Sequence, residues 1–374
     1  MKTFVAALSF LFAGALHAAT FVYVSNADDG DISVYSLEAD GSLRAMARVA
    51  AAKPVMPLAV SPDRRYLYAA IRSQPFSAWT YAIDSRSGTL EKLSTGPLAD
   101  TFPYISTDRA GRVLFGASYA GNVIAVHPIE GGRRVGEALQ VIPVERNAHC
   151  ILVDHANKYV FVSALGTDRV YQFVFDVNTG RLAANTPPAV QLKTGTGPRH
   201  MAFSNDNRFL YVLSELMGTV TTLALDAASG QLSEQGSESI LPPDTRLRPG
   251  MPRAPWGVSS ANEAPRNTDN DIWASDLHLR PDGRFLYAVE RTSNVLAWLR
   301  VDATSGKLTW LGNVPTEKQA RGFAIDPTGK YIVVAGEKSD AISVYAIGSD
   351  GAPGFLARYP AGKSPNWVEI VATE

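Results

Sequence analysis

Pro281-Asp282-Gly283-Arg284-Phe285-Leu286-Tyr287 is a polar turn that ends in a basic residue and runs into a short apolar segment. The same pattern occurs at five other places, always with Arg or Lys at the end of the turn. The six basic turn residues are Arg65, Arg112, Lys158, Arg208, Arg284 and Lys330. They are separated by 47, 46, 50, 76 and 46 residues. A strand-rich repeat of this period is typical of a β-propeller.

Each repeat also contains a second turn signal, in which Asp or Asn stands close to Gly. Clear examples are residues 40–43, 84–88, 176–180, 226–230 and 302–306, and weaker ones are residues 130–132 and 349–351. Because these residue types suit tight turns, they predict seven outer hairpins. The flanking segments alternate apolar and polar residues, as in Ile32-Ser33-Val34-Tyr35. Such alternation indicates half-buried antiparallel strands.

The two ends of the chain together predict one more inner hairpin. Phe21-Val22-Tyr23-Val24 matches the strand that follows a basic turn residue, but no strand precedes it. Pro365-Asn366-Trp367-Val368-Glu369-Ile370 matches the strand before such a turn and then stops. We therefore predict an all-β fold, a seven-bladed β-propeller of four-stranded antiparallel blades. Pairing of the N- and C-terminal strands in one blade, with the C-terminal strand innermost, would close the ring and remove an exposed edge.

Residues 1–19 are predicted to be a secretory signal peptide. Lys2 supplies a positive start, residues 4–16 an apolar stretch, and Ala18 or Ala19 a small-residue cleavage point. The stretch is too short to span a bilayer as a helix. We expect a periplasmic or secreted protein, and an uncleaved anchor is the alternative.

Residues 20–374 are predicted to form one propeller domain, because stacked blades share one closed ring. The longest interval between basic turn residues contains an insertion at about residues 241–271, rich in Pro, Asn and Arg. A long loop inside a compact fold is usually functional or disordered. The insertion is therefore either a flap over a pocket or a disordered surface loop.

The composition is that of an ordinary globular protein, with 46% hydrophobic and 19% charged residues. A net charge of −1 gives no reason to expect a nucleic-acid or membrane partner. Cys150 is the only cysteine, so no intrachain disulfide can form. Its neighbour His149 should point to the opposite face of a strand, which favours a buried, inert thiol over a nucleophile and base pair.

The repeat also predicts which side chains share one rim of the ring. Positions nine residues before and seven residues after each basic turn residue should lie at the same end of the inner hairpins. They are Met56, Pro103, His149, Arg199, Ser275 and Arg321, then Arg72, Tyr119, Leu165, Glu215, Arg291 and Glu337, with Asn366 and Ala27 from the shared blade. These side chains should converge at one mouth of the central channel, where propellers usually bind ligands. His200 and Asp276, one residue further on, are expected to point away from the channel.

The rim combines one histidine, four arginines and two glutamates, a set that suits an anionic ligand passing through an oxyanion. Guanidinium groups hold carboxylate or phosphate at two points, and they stabilise a tetrahedral alkoxide. A desolvated His or Glu can transfer a proton to or from water or a ring oxygen. A solvated charged rim without function is the alternative. The chain has no Gly-x-Ser-x-Gly, no spaced His/Cys metal set and no nucleotide-binding glycine loop.

Several motifs on these lines resemble one known family. They are residues 197–201 (Gly-Pro-Arg-His-Met), 214–216 (Ser-Glu-Leu), 273–278 (Trp-Ala-Ser-Asp-Leu-His), 290–293 (Glu-Arg-Thr-Ser), 319–323 (Gln-Ala-Arg-Gly-Phe) and 335–339 (Ala-Gly-Glu-Lys-Ser). With them the chain resembles the seven-bladed β-propeller lactonases of the 6-phosphogluconolactonase type, which include a fungal carboxymuconate-cyclising relative. The resemblance extends from Thr20 to Val371. It implies an active site formed by His149, Arg199, Glu215 and Arg291, with no metal and no cofactor.

The leading hypothesis is therefore hydrolysis of an anionic sugar lactone of the 6-phosphogluconolactone type. Arg199 and Arg291 would bind the anionic part and stabilise the oxyanion. Either Glu215 or His149 would activate water, and the other would assist departure of the ring oxygen. The predicted substrate-binding residues are Arg321, Glu337, Lys338 and Arg72.

Two alternatives remain open from the sequence. A carboxymuconate-type cycloisomerase would use the same side chains without a hydrolytic water. A non-catalytic periplasmic propeller would bind a ligand or a protein. The combination of His149 with Glu215 argues against pure binding, because binding alone needs no proton-transfer group.

Overall fold

Each basic turn residue of the repeat lies in the turn between the two innermost strands of a small antiparallel sheet. The computed structural model describes residues 19–254 and 267–373. Its strands form seven sheets, and their innermost strands contact one another in sequence around a ring. The seven-bladed propeller predicted from the repeat is thereby confirmed.

The blades follow one another along the chain, and each runs from an inner to an outer strand. The first consists of β1 (Thr20–Asn26), β2 (Asp31–Leu37), β3 (Leu43–Ala50) and the innermost β29 (Pro365–Ala372). The second consists of β4 (Val55–Val60), β5 (Tyr66–Ile71), β6 (Ser77–Ile83) and β7 (Leu90–Pro97). The third consists of β8 (Tyr104–Thr107), β9 (Val113–Ser118), β10 (Val123–Glu130), β11 (Arg134–Val135) and β12 (Gln140–Pro143). The fourth consists of β13 (Ala148–Val153), β14 (Tyr159–Ala164), β15 (Arg169–Asp176) and β16 (Arg181–Gln191).

The remaining blades repeat this arrangement. The fifth consists of β17 (Pro198–Phe203), β18 (Phe209–Ser214), β19 (Thr219–Leu225) and β20 (Leu232–Ser239). The sixth consists of β21 (Ala274–Leu279), β22 (Phe285–Glu290), β23 (Val295–Val301) and β24 (Leu308–Pro315). The seventh consists of β25 (Ala320–Ile325), β26 (Tyr331–Gly336), β27 (Ala341–Ile347) and β28 (Pro353–Pro360). A single 3-10 turn at Leu165–Thr167 is the one helical element among the described residues.

The third blade refines the predicted four-stranded pattern. Its outer strand is split into β11 and β12, and both pieces pair with β10. The outer turn of this blade is one of the two weaker turn signals in the sequence, residues 130–132. The blade therefore keeps four layers, with an interruption in the outermost one.

The ring closes as predicted. β29 pairs with β1 in antiparallel fashion, with Thr20 opposite Ala372 and Ser25 opposite Trp367. The C-terminal strand is the innermost strand of the first blade. Because β29 covers one side of β1 and β2 the other, β1 has a paired strand on both of its edges.

Neighbouring blades meet through one repeated contact between a glycine and a larger side chain. The glycine of each outer turn packs against the first residue of the apolar run in the preceding blade. The pairs are Gly41 with Tyr331, Gly88 with Phe21, Gly132 with Tyr66, Gly180 with Val113, Gly230 with Tyr159, Gly306 with Phe209 and Gly351 with Phe285. At Gly306 the backbone φ is +69°, and an added Cβ would lie 2.6 Å from the Phe209 ring. Glycine is thus required both for the turn and for the close approach.

Two sequence predictions fall partly or wholly outside the described residues. The predicted signal peptide does so except for Ala19. The insertion is described up to Ala254 and again from residue 267. A parallel bridge joins Arg248 to Asp271 across its base. Within the described ranges, no helix is long and apolar enough to cross a membrane.

The blade contact predicts a large stability difference between two glycine substitutions. Gly306→Ala should lower the free energy of unfolding by about 3 kcal/mol, since it combines a left-handed backbone with overpacking against Phe209. Gly131→Ala is the matched control, because Gly131 also has a positive φ, +57°, but no atom within 4 Å of the added Cβ. It should cost only about 1 kcal/mol. Thermal unfolding of both variants measures the difference, and equal melting temperatures would contradict the packing role.

Candidate active site

Six of the seven innermost strands carry a one-residue bulge at or next to the position nine residues before the basic turn residue, or at the equivalent position of β29. In β13, Ala148 and Cys150 pair with successive residues of β14, so His149 is the extra residue. In the same way Ser275 is extra in β21 and Arg321 is extra in β25. A β-bulge bends the strand and re-aims its side chain. The recurring bulge therefore turns this line of residues toward the mouth of the channel.

All eight predicted site residues line one cavity of about 310 Å³ at this mouth. They are Arg72, His149, Arg199, Glu215, Arg291, Arg321, Glu337 and Lys338. They come from blades two, four, five, six and seven, so no two neighbouring blades could form the cavity alone. For seven of them this proximity is the geometry that the register predicted, and Lys338 directly follows the register position Glu337. The catalytic and binding roles of all eight residues stay predictions.

Glu215 joins the two buried arginines at the centre of the cavity. Its Oε2 accepts hydrogen bonds from Arg199 Nε at 2.7 Å and from Arg291 Nη2 at 3.0 Å. Arg199 also donates to the Ser275 carbonyl, and Arg291 Nε donates to the Trp273 carbonyl at 3.0 Å. Arg199, Glu215 and Arg291 are each no more than 4% exposed. Both guanidinium groups are therefore held in one orientation before any ligand binds.

The charge state of the cavity follows from these contacts. Burial opposes ionisation of Glu215, but the charges of Arg291 and Arg199 outweigh it and lower the pKa of this carboxyl. Burial, aided by the nearby charge of Arg199, lowers the pKa of His149 well below its ordinary value. At neutral pH the site thus contains an ionised carboxylate and an uncharged imidazole. Nδ1 of His149 is buried and makes no hydrogen bond within the described residues.

The four predicted substrate-binding residues differ in depth. Arg72 follows the last residue of β5 and is buried, with Nε donating to Thr101 Oγ1 at 2.9 Å. Burial, followed by repulsion from Arg321, lowers the pKa of Arg72 to about 9, so it is still charged at neutral pH. Glu337 is also buried, Arg321 is half-buried and Lys338 is exposed. Positive charge thus extends from the floor of the cavity to its mouth.

Three aromatic or polar residues of the cavity wall were not among the predicted catalytic or substrate-binding residues. Trp273 and Gln319 stand two residues before Ser275 and Arg321, so strand alternation could have placed them on the same face. Tyr119 was on the predicted rim, but no role was assigned to it. Its hydroxyl donates to the Arg253 carbonyl at 2.8 Å. This contact ties the insertion to the third blade.

The insertion contributes directly to the cavity wall. Arg253 and Ala254 line the cavity. The guanidinium carbons of Arg253 and Arg291 each lie 3.7 Å from the centroid of the Trp273 ring. The described part of the insertion therefore borders the pocket, and a flap over it stays a prediction. Arg253 lies outside the repeat, so no feature of the register could have identified it.

The expectation that His200 and Asp276 point away from the channel was wrong. Both line a second cavity of about 150 Å³, next to His278, Trp367 and Glu369 on the innermost strands. The bulges at Arg199–His200 and Ser275 interrupt the alternation, so two successive side chains face inward. We call this second space the channel cavity. Cys150 is buried as predicted, and burial raises the pKa of its thiol.

Comparison with known proteins identifies the family. A family model described as lactonase, 7-bladed beta-propeller, matches residues 16–370. The chain belongs to the seven-bladed β-propeller lactonase family. It is 37% identical to a 6-phosphogluconolactonase of Xenorhabdus nematophila, over 94% of this chain and 98% of the relative. A 6-phosphogluconolactonase of Serratia proteamaculans is 36% identical over the same shares of the two chains.

Solved structures agree with this assignment. The fold of this lactonase family member is similar to that of a periplasmic gluconolactonase of Pseudomonas aeruginosa, with a TM-score of 0.81 and 28% sequence identity. The similarity covers 96% of this chain and all of the other. The resemblance inferred from the motifs is thereby confirmed.

The buried Arg–Glu–Arg arrangement predicts a strong dependence of stability on Glu215. Glu215→Gln should lower the free energy of unfolding by about 3 kcal/mol, because two buried guanidinium groups lose their counter-charge. The difference should be full above about pH 4.5 and should shrink as the pH falls through the lowered pKa of Glu215. Glu38→Gln, which removes an exposed ion pair with Arg44, should change stability by about 0.5 kcal/mol or less. Chemical unfolding of both variants across this pH range measures the difference. Equal losses of unfolding free energy would refute a stabilising role for the buried Glu215 carboxylate.

Proposed function

We propose that this chain hydrolyses an aldonolactone that carries an anionic group. The observation that carries the proposal is the buried Arg199–Glu215–Arg291 arrangement beside an uncharged His149 in one cavity. Two fixed guanidinium groups are suited to the oxyanion that forms when water attacks a lactone carbonyl. The names of the relatives, 6-phosphogluconolactonase and gluconolactonase, support the same chemistry.

His149 is the better candidate for the general base. Oε2 of Glu215 accepts two charge-assisted hydrogen bonds, and the lowered pKa of Glu215 makes it a weak base. The imidazole of His149 is uncharged and borders the cavity. An anionic substrate or intermediate would raise its proton affinity, because negative charge nearby favours the imidazolium. Glu215 then acts by holding Arg199 and Arg291 in place.

Hydrolysis in this site proceeds through attack of water and collapse of a tetrahedral intermediate. His149 removes a proton from water while the water oxygen forms a bond to the lactone carbonyl carbon. The oxyanion is stabilised by Arg199 and Arg291. Collapse of the tetrahedral intermediate breaks the bond between the carbonyl carbon and the ring oxygen, and His149 returns its proton to that oxygen. The product is a hydroxy acid, which releases one further proton at neutral pH.

The charge of the cavity favours a substrate with an additional anionic group. Among the described residues, six cationic side chains and two carboxylates line it, which leaves a formal charge of +4 with His149 neutral. Because Arg199 and Arg291 are engaged at the floor, the outer cations Arg321 and Lys338 remain for a distal group. A phosphate on the far end of the lactone would match them.

We also infer that the chain is exported. The sequence features of residues 1–19 support this, as does the similarity to a periplasmic enzyme of Pseudomonas aeruginosa. Fractionation of cells that express the full chain is the test, with one cytosolic and one periplasmic marker enzyme. Recovery with the cytosolic marker would contradict export.

Replacing the base should reduce turnover with little effect on substrate binding. His149→Gln should lower kcat for lactone hydrolysis by about 100-fold or more, because proton removal from water is lost. Arg199→Ala should also lower it by about 100-fold or more, since an oxyanion partner is lost. Proton release from a lactone solution, corrected for spontaneous hydrolysis, measures both rates. His155→Gln, at an exposed position outside the cavity, is the control. Wild-type turnover in His149→Gln would rule out this mechanism.

The distal cations should determine substrate preference. We expect kcat/KM to be about tenfold higher for 6-phosphogluconolactone than for gluconolactone at low ionic strength. Lys338→Ala and Arg321→Gln should reduce this ratio, mainly through KM, and should leave gluconolactone turnover nearly unchanged. Lys92→Ala, a cation far from the cavity on β7, controls for net charge. An unchanged ratio in both site variants would exclude a phosphate site at these residues.

A further inference from the structure

The channel cavity contains a hydrogen-bonded group of ionisable side chains that the hydrolytic mechanism does not use. His200 Nδ1 lies 2.7 Å from Asp276 Oδ1, and His278 Nε2 lies 3.2 Å from Asp276 Oδ2. Asp276 Oδ2 also accepts the backbone N–H of Phe323 at 3.1 Å. His200 is 3% exposed, so its orientation is set by this carboxylate rather than by solvent.

His200 lies directly beside the proposed base. The ring centroids of His149 and His200 are 5.2 Å apart, with an angle of 60° between the planes. His149 Nδ1 and His200 Nε2 are both buried, and neither has a hydrogen-bond partner within the described residues. Buried polar atoms without partners are uncommon in proteins and call for a specific explanation. Each of these two adjacent imidazoles thus has one ring nitrogen available for a proton or for a bridging water.

Lactone hydrolysis requires a route by which a proton leaves the substrate cavity. One proton of the attacking water ends on the ring oxygen, and the second is released when the carboxylic acid product ionises. This second proton is formed in a cavity lined with arginines, where it cannot remain on a guanidinium group. While the product still occupies the mouth, His149 is the acceptor at hand. The base must then lose that proton before it can activate the next water.

We propose that His200, held by Asp276, takes the proton of hydrolysis from His149 and passes it to water in the channel cavity. This proposal rests on the proposed function. His149 passes its Nδ1 proton to His200 Nε2, directly or through one water, and becomes a neutral imidazole that keeps the proton on its other ring nitrogen. Exchange of that remaining proton to Nδ1 through water then restores the starting tautomer for the next turnover. The Asp276 carboxylate stabilises the transient imidazolium through the Nδ1 hydrogen bond. A water of the channel cavity then removes the proton from His200.

The surroundings of His200 suit a side chain that binds a proton only transiently. Burial and the charge of Arg199 lower the pKa of His200 to about 4, even though Asp276 opposes the change. The imidazole is therefore neutral at rest and ready to accept. Arg321 also disfavours its charged form. The ring contacts Tyr104 at 5.0 Å and Trp367 at 5.7 Å between centroids, and neither side chain carries a charge.

The far side of the channel cavity contains two further ionisable groups whose pKa values are raised. His278 is 42% exposed at its side chain, and Asp276 raises its pKa against the effect of burial. Burial raises the pKa of Glu369 to about 7, although Trp367 Nε1 donates to its Oε1 at 2.9 Å. A proton that reaches this cavity therefore meets accessible acceptors on the side away from the substrate.

Buffer dependence of turnover tests the proposal, because it reports on proton transfer and not on folding. In His200→Gln, kcat should fall about tenfold or more while KM changes little. Its kcat should then rise with the concentration of a small buffer such as imidazole, whereas wild-type kcat should not. Asp276→Asn should show the same buffer dependence with a smaller loss. His127→Gln is the control, since His127 is equally buried but bonds Gly136 O on the third blade and does not line the channel cavity.

The outcomes separate this proposal from the one on which it rests. Normal wild-type turnover with an unchanged kcat in His200→Gln would overturn the proton path alone. A loss of kcat that no buffer restores, with a melting temperature lowered as in His127→Gln, would also overturn it, because His200 would then be structural. If the wild-type chain hydrolyses no lactone, both proposals fail.

Discussion

Antiparallel pairing between the first and last strands, β1 and β29, is the constraint on which the rest of the structure depends. The site residues come from five blades, and they meet only because the ring is closed. Between neighbouring blades, the outer-turn glycines set the spacing, since each leaves room for a side chain of the blade before it. Close packing of this kind has little tolerance for added volume. The position of every cavity residue is therefore a property of the whole ring.

Within that ring, one carboxylate holds the two buried arginines of the cavity in place. Glu215 neutralises part of the charge of Arg199 and Arg291 and fixes the direction of both groups. Fixed donors stabilise an oxyanion without reorganising during the reaction, which is why preorganisation contributes strongly to catalysis. Burial, together with the same positive field, lowers the pKa of His149 and keeps it uncharged beside the two fixed guanidinium groups. Arg199 and Arg291 are buried, whereas Arg321 is half-buried and Lys338 is exposed, so the cations lie at different depths in the cavity.

Much of the site could be predicted from the sequence because the repeat is regular. His149, Arg199 and Arg321 share one offset from a basic turn residue, and Glu215 and Arg291 share another. What failed was the assumption of strict alternation, because bulges in β17 and β21 place two neighbouring side chains inward. His200 and Asp276 were misplaced for that reason. Arg253 was missed because the insertion has no counterpart in the other repeats.

The amino-acid order by itself determined the number of blades, the shared closing blade and the rim on which the charged residues gather. These follow from strand period and turn chemistry, which are local properties. Only the tertiary structure decided which atoms pair, such as Glu215 with two arginines and His200 with Asp276. Glu215 pairs with Arg199 of its own blade and with Arg291 of the next one, and His200 pairs with Asp276 across the same two blades. These contacts depend on bulges and on burial. Pairing and protonation are therefore set by the packed environment, which no local sequence pattern specifies.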